Sequence, residues 1–192
     1  MYKVSTSEGL VLGKRGVGEE NAFVAILTKD LGLIKASARA ARRENSKLRY
    51  GLEPLMVGEF SFIRGRNDWR LTSGRELSHE LVSRDIKRRQ AAGRIIKLLS
   101  RLIHGEEVNA DLYIAVVEGL RALAQNESSS EETIEMILVL RVLSHLGYVP
   151  ELPELRPFVE QDILSPTLTE EVLRSRSFLI RTINESLYAT GL

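Results

Sequence analysis

Residues 23–39 read FVAILTKDLGLIKASAR, and this stretch decides the fold class. On both sides of Asp30-Leu31-Gly32 the side chains alternate with a period of two, which is typical of two strands joined by a tight turn. In the second strand the two alternating sets are Ile34, Ala36 and Ala38 against Lys35, Ser37 and Arg39. The pattern therefore predicts a half-buried β-hairpin with positive charge on its outer face.

Three more strands complete the N-terminal part of the chain. Residues 4–12 form the first, which we expect Gly16-Val17-Gly18 to end, and residues 55–64 and 68–76 form the last two around Gly65-Arg66-Asn67. Residues 40–54, after the third strand, are expected to be a polar loop with a helical turn. Five short strands with one longer connection after the third are typical of an OB-fold, a partly open barrel that binds oligonucleotides. An SH3-like barrel would have the same number of strands.

From about residue 79 the apolar spacing becomes that of helices. Apolar stripes cover residues 95–103 and 112–123, with a start signal at Asn109. A further helix is expected over residues 134–146 and a last one over about 170–187, with an irregular, proline-rich connection at 149–166. The prediction is an α+β protein: a five-stranded OB-fold β-barrel as one domain over residues 1–78, followed by an all-helical domain over residues 79–192.

Composition limits the class of protein and the chemistry open to it. The 192 residues are 43% hydrophobic and 28% charged, which fits a folded globular protein. No apolar run reaches the roughly 18 residues that a membrane span needs, and no signal-peptide pattern opens the sequence. The absence of cysteine fits a reducing compartment and removes disulfides, thiolate zinc sites and iron–sulfur clusters, so a cytoplasmic protein is expected.

Charge is divided unevenly along the sequence. Residues 1–100 hold 20 Lys and Arg against 11 Asp and Glu, a net charge of +9, whereas residues 101–192 hold 7 against 15, a net charge of −8. A basic field on one domain attracts polyanions even when the whole chain is almost neutral. The division favours an anion-binding surface on the N-terminal part and an acidic surface on the C-terminal part. The alternative is that both sets of charged residues are ordinary solvated surface.

The densest basic cluster begins in the third strand. Within fifteen residues, the single Glu44 stands against Lys35, Arg39, Arg42, Arg43, Lys47 and Arg49. Such a cluster can follow a phosphate backbone and predicts contact with nucleic acid, single-stranded DNA first of all; the alternative is a solvated loop. The flanking cations that would widen the patch are Lys14, Arg15, Arg64, Arg66 and Arg70. Tyr50 is the best candidate for stacking on a base, and the aromatic residues assigned to the core are Phe23, Phe60, Phe62 and Trp69.

The residue pattern predicts no catalytic site, no metal site and no cofactor. His79, His104 and His145 are too far apart in the sequence to form a ligand pair. Residues 13–18 are rich in glycine but lack the spacing of a phosphate-binding loop and a following helix. We therefore expect that the protein is not an enzyme, and a metal-dependent nuclease is the least favoured alternative.

Short motifs follow one another in a fixed order through the N-terminal half. They are Glu8-Gly9-Leu10-Val11-Leu12, Gly18-Glu19, Leu27-Thr28-Lys29 with Gly32, Ala38-Arg39-Ala40-Ala41-Arg42-Arg43, Ser46-Lys47-Leu48-Arg49, Leu52-Glu53-Pro54-Leu55 with Glu59, and Leu71-Thr72-Ser73. The helical half adds His145-Leu146-Gly147-Tyr148-Val149-Pro150-Glu151-Leu152. Together these motifs resemble the RecO family of bacterial recombination mediators, and the last one resembles the stretch that leads into that family's zinc-binding loop.

The resemblance implies a DNA repair protein built from an OB-fold and a helical domain. It implies binding of single- and double-stranded DNA, annealing of complementary strands, and help in loading RecA onto DNA coated by single-strand-binding protein. The implied partners are RecR and the C-terminal tail of that coating protein, and the expected place is the cytoplasm, in association with the nucleoid. The basic positions of the family motif fall on Arg39, Arg42, Arg43, Lys47 and Arg49.

The chain departs from the family pattern at three places. Where many relatives carry four cysteines as a zinc ribbon, it has Leu152-Pro153-Glu154-Leu155-Arg156-Pro157 and no metal ligands. Ala40 stands in place of a glycine of the basic motif, and Ile137 or a neighbour replaces a basic residue that is common in the helix before the Leu146-Gly147-Tyr148 stretch. Two other functions stay open: a protein-interaction adaptor that docks its partner on the acidic helical half, and an RNA-binding OB-fold protein, since backbone contacts distinguish DNA from RNA poorly.

Overall fold

The computed structural model describes residues 3–41, 46, 48, 51–66, 68–125 and 129–191. Internal contacts divide the chain into two units. The first unit joins Met1–Val82 with Leu99–Tyr113, and the second joins Ser83–Leu98 with Ile114–Leu192. Two helices contribute to both units, so the predicted domain boundary between residues 78 and 79 stays a prediction.

Within the described residues, five strands form a closed barrel in the first unit. They are β1 (Val4–Val17), β2 (Asn21–Thr28), β3 (Gly32–Ala38), β4 (Val57–Arg64) and β5 (Trp69–Ser78). The strand order is β1-β2-β3-β5-β4, and β1 pairs with β4 to close the barrel. β3 pairs with β5 in parallel, whereas the other neighbours are antiparallel. An OB-like barrel followed by helices confirms the predicted α+β fold class.

Strand β1 is longer than predicted. The sequence predicted an end at Gly16-Val17-Gly18, but Gly16 and Val17 continue the strand and pair with β2. The chain turns at Gly18, whose φ of +62° is a conformation that glycine adopts without strain. A β-bulge between Val11 and Gly13 bends the strand, so that one part pairs with β2 and another with β4.

Apolar side chains fill the interior of the barrel. In β3 the side chains of Ile34, Ala36 and Ala38 are buried, whereas Lys35 and, directly after the strand, Arg39 are exposed, so the predicted alternation is confirmed. A shift of the register by one residue would turn every β3 side chain to the other face, and the loss of apolar burial opposes such a shift. The rest of the core includes Val11, Val24, Ile26, Phe60 and Phe62.

The described residues after the barrel form six α-helices. They are α1 (Ile86–Leu102), α2 (Ala110–Gln125), α3 (Glu131–His145), α4 (Arg156–Glu160), α5 (Pro166–Arg174) and α6 (Arg176–Ala189). The start signal at Asn109 is confirmed, because its Oδ1 accepts a hydrogen bond from the backbone nitrogen of Leu112 at 2.8 Å. The prediction of one last helix is wrong, since Ser175 separates α5 from α6. Within the described residues, no helix combines the length and the apolar composition needed to cross a bilayer.

Helix α3 is the core element of the second unit and packs against α4, α5 and α6. Its buried side chains include Ile134, Ile137, Leu138 and Val142. Helix α2 approaches it closely at Gly119, where an added Cβ would lie 2.5 Å from a methyl carbon of Leu138. A side chain larger than hydrogen at this position would require the buried side chain of Leu138 to shift.

Candidate nucleic-acid interface

The outer side of β2 and β3 carries exposed cations around an aromatic ring. Lys35 of β3 and Arg39, which directly follows the strand, are exposed to solvent, two residues before and two residues after Ser37. In the neighbouring strand Phe23 pairs directly with Ser37. Lys35 is therefore a diagonal neighbour of Phe23, at a distance that long side chains can bridge, and Arg39 lies just beyond the paired residues of β3.

The two flanking strands extend this surface. Arg15 of β1 pairs with Phe23, and Arg70 of β5 pairs with Ser37. The four paired residues form one row across four strands, which spans about 14 Å at about 4.8 Å per strand. Among the described residues, no carboxylate pairs with the four cations of this surface. We call the set of Arg15, Phe23, Lys35, Arg39 and Arg70 the β2–β3 face.

Phe23 corrects one of the sequence predictions. It was assigned to the core with Phe60, Phe62 and Trp69, but its side chain is 42% exposed. Ala22, Val24 and Ile26 fill the inward positions of β2, and the period of two then turns Phe23 outward. The sequence contained a signal for the exposed position of Phe23: the polar residue Asn21 lies two positions earlier and therefore on the same face of the strand. The assignment is confirmed for Phe60 and Phe62, which are fully buried, while Trp69 is partly buried against the core.

Two of the predicted cations are held by carboxylates. Lys14 Nζ lies 2.5 Å from Glu53 Oε1. Arg64 donates a hydrogen bond of 3.0 Å to Glu106, and the indole nitrogen of Trp69 donates one of 2.8 Å to the same carboxylate. The Arg64 guanidinium carbon also lies 5.2 Å from the centroid of the Trp69 ring, a cation–π contact. These two cations are neutralised locally, so they add less to an anion-binding field than the β2–β3 face does.

Most of the remaining predicted residues follow β3 in the sequence. Ala40, two residues after the end of β3, donates its backbone N–H to Asn21 Oδ1 at 3.0 Å and has a φ of +52°. That left-handed conformation is strained for alanine and free of strain for glycine, which the family motif carries here. Arg66 is exposed in the turn after β4. The other predicted residues lie outside the described residues and stay predictions: Arg42, Arg43, Lys47, Arg49 and Tyr50.

Two family models match the sequence: Recombination protein O N terminal matches residues 1–77, and Recombination protein O C terminal matches residues 83–154. The chain belongs to the RecO family. Proteins named DNA repair protein RecO are similar to it: that of Bacillus subtilis is 30% identical over 146 residues, that of Alkaliphilus metalliredigens 30% over 148, and that of Caldanaerobacter subterraneus subsp. tengcongensis 28% over 153. Each match covers 76% of this chain, which spans only 56% to 59% of the length of these curated relatives.

The zinc ribbon of many RecO proteins does not fit this member. The sequence has no cysteine. In the part of the chain that the structure describes, no three His, Asp or Glu side chains lie close enough to hold a metal ion. A 3₁₀ turn at Pro153–Leu155 leads directly into α4 where the family resemblance would place the zinc-binding loop. This RecO chain must therefore hold the segment by other contacts.

Arg141 of α3 supplies such contacts. Its Nε donates a hydrogen bond of 3.0 Å to the carbonyl oxygen of Phe158, and its Nη2 donates a second one to the carbonyl oxygen of Gln161. Only 5% of the residue is exposed, and burial lowers the pKa of the guanidinium from its usual value. The sequence carried a signal for this role that we did not use, because Arg141 is the one charged residue in the apolar run ILVLRVL.

The three histidines lie on different elements. His79 follows β5, His104 follows α1, and His145 ends α3. The prediction that this RecO chain has no catalytic set stays a prediction.

Proposed function

We propose that this RecO chain is a non-enzymatic DNA-binding protein of recombinational repair. In this proposal it binds single- and double-stranded DNA, anneals complementary strands and helps to load RecA onto DNA coated by single-strand-binding protein. The observation that supports it most directly is the β2–β3 face, where four cations surround an exposed aromatic ring. This side of an OB-fold is also the one that binds oligonucleotides in other proteins of this architecture.

The proposed binding mode combines neutralised phosphates with a stacked base. Arg15, Lys35, Arg39 and Arg70 neutralise phosphates of one strand, and Phe23 offers its ring face to a base. Because the cations contact the backbone and every base has a ring face, the binding has little sequence preference. Neutralising the phosphates also lowers the repulsion that opposes pairing with a complementary strand, and this accounts for annealing.

Charge reversal of the β2–β3 face tests the proposal. Four phosphate contacts predict that log K for single-stranded DNA falls with log salt at a slope of about −2.8, and each further contact from the loop adds about 0.7. Lys35→Glu with Arg39→Glu should weaken binding at least about tenfold and bring the slope about 1.4 closer to zero. Arg156→Glu with Arg174→Glu is the matched control, since both are exposed and the change in net charge is equal.

The same titration separates the neighbouring hypotheses. Affinity of the reversed β2–β3 variant within twofold of the wild type would contradict the proposed interface. Tighter binding of RNA than of DNA of equal sequence would favour the RNA-binding alternative. Cleavage of labelled DNA in the presence of magnesium or manganese would contradict the non-enzymatic assignment.

The partners belong to the proposal as well. Family membership supports RecR and the C-terminal tail of single-strand-binding protein as partners, and a protein that acts with them on DNA would work at the nucleoid in the cytoplasm. Titration of purified RecR and of a synthetic tail peptide into the full chain would measure both contacts. If both bind while the reversed β2–β3 variant anneals DNA normally, the adaptor function is favoured instead.

A further inference from the structure

Helix α1 is cationic along its whole length. Its 17 residues include six Lys and Arg and no Asp or Glu. One side of the helix is buried, through Ala91, Ala92, Ile95, Ile96, Leu99 and Leu102. The cations lie on the rest of the circumference.

Three of the six cations have internal partners. Arg88 donates hydrogen bonds to the carbonyl oxygens of Leu123 and Ser129, at 3.2 and 2.8 Å. Arg94 donates two of 2.6 Å to Glu135, which raise the pKa of its guanidinium. Arg89 likewise donates to the carbonyl oxygens of two residues just before the helix. The presence of these three cations is thus accounted for by their hydrogen bonds within the fold.

The other three cations have no such explanation. Lys87, Lys97 and Arg101 are exposed, and among the described residues no side-chain hydrogen bond or salt bridge holds them, although Lys87 lies near the carboxylate of Asp85. At 3.6 residues per turn they fall within an arc of about 80°, and from first to last they extend about 21 Å along the helix. We call these three residues the α1 cationic face.

The helix dipole favours Arg101 in the last turn of α1, but two other features do not stabilise the helix. Lys87 lies in the first turn, where the helix dipole favours carboxylates, and Lys97 and Arg101 are like charges at i and i+4. Carboxylates are plentiful in the rest of the chain, where residues 102–192 hold 15 Asp and Glu against 6 Lys and Arg. Charge placements that do not stabilise the local structure are expected at functional surfaces.

We propose that the α1 cationic face is a second nucleic-acid contact, which holds the phosphate backbone of the second strand during annealing. The positive charge of this face favours a polyanion, and its length fits a nucleic-acid strand. A strand that rises 3.4 Å per nucleotide places about six phosphates along 21 Å of helix. Helix α1 contains no aromatic residue, so it offers nothing for bases to stack on. A strand held only by its phosphates keeps its bases free to pair. This inference rests on the proposed DNA-binding function and adds the site of the second strand.

A bridging assay tests the inference with the full chain. A biotinylated 30-nucleotide strand is immobilised, the protein is added, and capture of a labelled, non-complementary second strand is measured. The variant is Lys87→Glu, Lys97→Glu and Arg101→Glu. The matched control is Arg156→Glu, Arg174→Glu and Arg181→Glu, which changes three exposed arginines and the net charge by the same amount.

The variant should bind the first strand within about twofold of the wild type and capture the second strand at least about tenfold less, with a salt slope about 2 closer to zero. The annealing rate of complementary strands should fall in parallel, and the control variant should behave as the wild type. Circular dichroism checks the fold, and the Gln versions of the three substitutions should give the same result with a smaller effect.

Three results would overturn the inference. Unchanged bridging and annealing would show that α1 does not hold a strand. Equal loss of first-strand binding would make α1 part of the first contact. Retention of a poly-glutamate peptide by the wild type, lost in the α1 variant while bridging persists, would assign the surface to an acidic protein partner. A wild-type protein that does not bind the immobilised first strand would contradict the proposed function itself. Binding by the wild type is therefore measured before any variant is compared.

Discussion

The exposed ring of Phe23 gives the sharpest test of the binding mode, and Phe23→Ala is the change that isolates it. The ring lies in the middle of the row from Arg15 to Arg70 and is 42% exposed. Removing it leaves all four cations of the β2–β3 face in place. The substitution therefore separates stacking from charge within one interface.

The magnitude follows from the two interactions that the ring makes. Stacking of a base on an aromatic side chain contributes about 1–3 kcal/mol, so the affinity for single-stranded DNA should fall about 5- to 150-fold. The cost to the fold should be about 0.4–2 kcal/mol, from the cross-strand pairs of Phe23 with Arg15 and Ser37 at about 0.2–1 kcal/mol each. The slope of log K against log salt should not change, since no ionic contact is lost.

Fluorescence anisotropy of a labelled oligothymidine at four salt concentrations measures both quantities. Phe23→Trp should retain affinity, and Tyr188→Ala, which removes an aromatic ring that is 86% exposed on α6, should bind as the wild type does. Should Phe23→Ala bind within twofold of the wild type with its fold intact, stacking on β2 would be refuted and the charge account would stand alone.

Four further results are expected. Glu106→Gln frees Arg64 from its carboxylate and should tighten single-strand binding about two- to fivefold in the same titration. Ala40→Gly relieves a left-handed alanine and should raise the free energy of unfolding in urea by about 0.5–1 kcal/mol. Arg141→Met removes the charged donor of two backbone carbonyls and should lower the free energy of unfolding by about 2–3 kcal/mol. A backbone N–H of the first turn of α1 lowers the pKa of Asp85, so the ionised carboxylate stabilises the fold at neutral pH. The urea midpoints of the wild type and of Asp85→Asn should therefore differ at neutral pH, and this difference should vanish as the pH falls through the lowered pKa.

The barrel could be predicted because its signals are local. The period of two in β2 and β3 and the turn at Gly32 each depend on a few consecutive residues. Gly32 has a φ of +71°, and an added Cβ there would lie 2.6 Å from the carbonyl oxygen of Glu107, so glycine is required on two grounds. Which alternating set of β2 faces inward was the harder question, because both sets contain large apolar residues. The partner strand decides it, and pairing with the cationic side of β3 turns Phe23 outward.

The break between α5 and α6 shows where periodicity fails. Leu168 and Val172 are buried in α5, and Leu179 and Ile183 are buried in α6. These spacings of four, seven and four residues are those of one continuous amphipathic helix. Ser175 nevertheless leaves helical geometry with a ψ of 11°, so the stripe alone could not reveal the break.

The charge of the N-terminal half also needed the structure for its interpretation. Of its net charge of +9, residues 1–78 contribute +5, and residues 79–100, most of them in α1, contribute +4. A sum along the sequence assigns all of this charge to one anion-binding surface, although it is divided between a barrel and a helix. The two surfaces differ in chemistry, because the barrel pairs its cations with an exposed ring whereas α1 has no aromatic residue. Affinity for one strand should therefore depend on the barrel, while the annealing rate depends on both surfaces, and variants of each should separate the two activities.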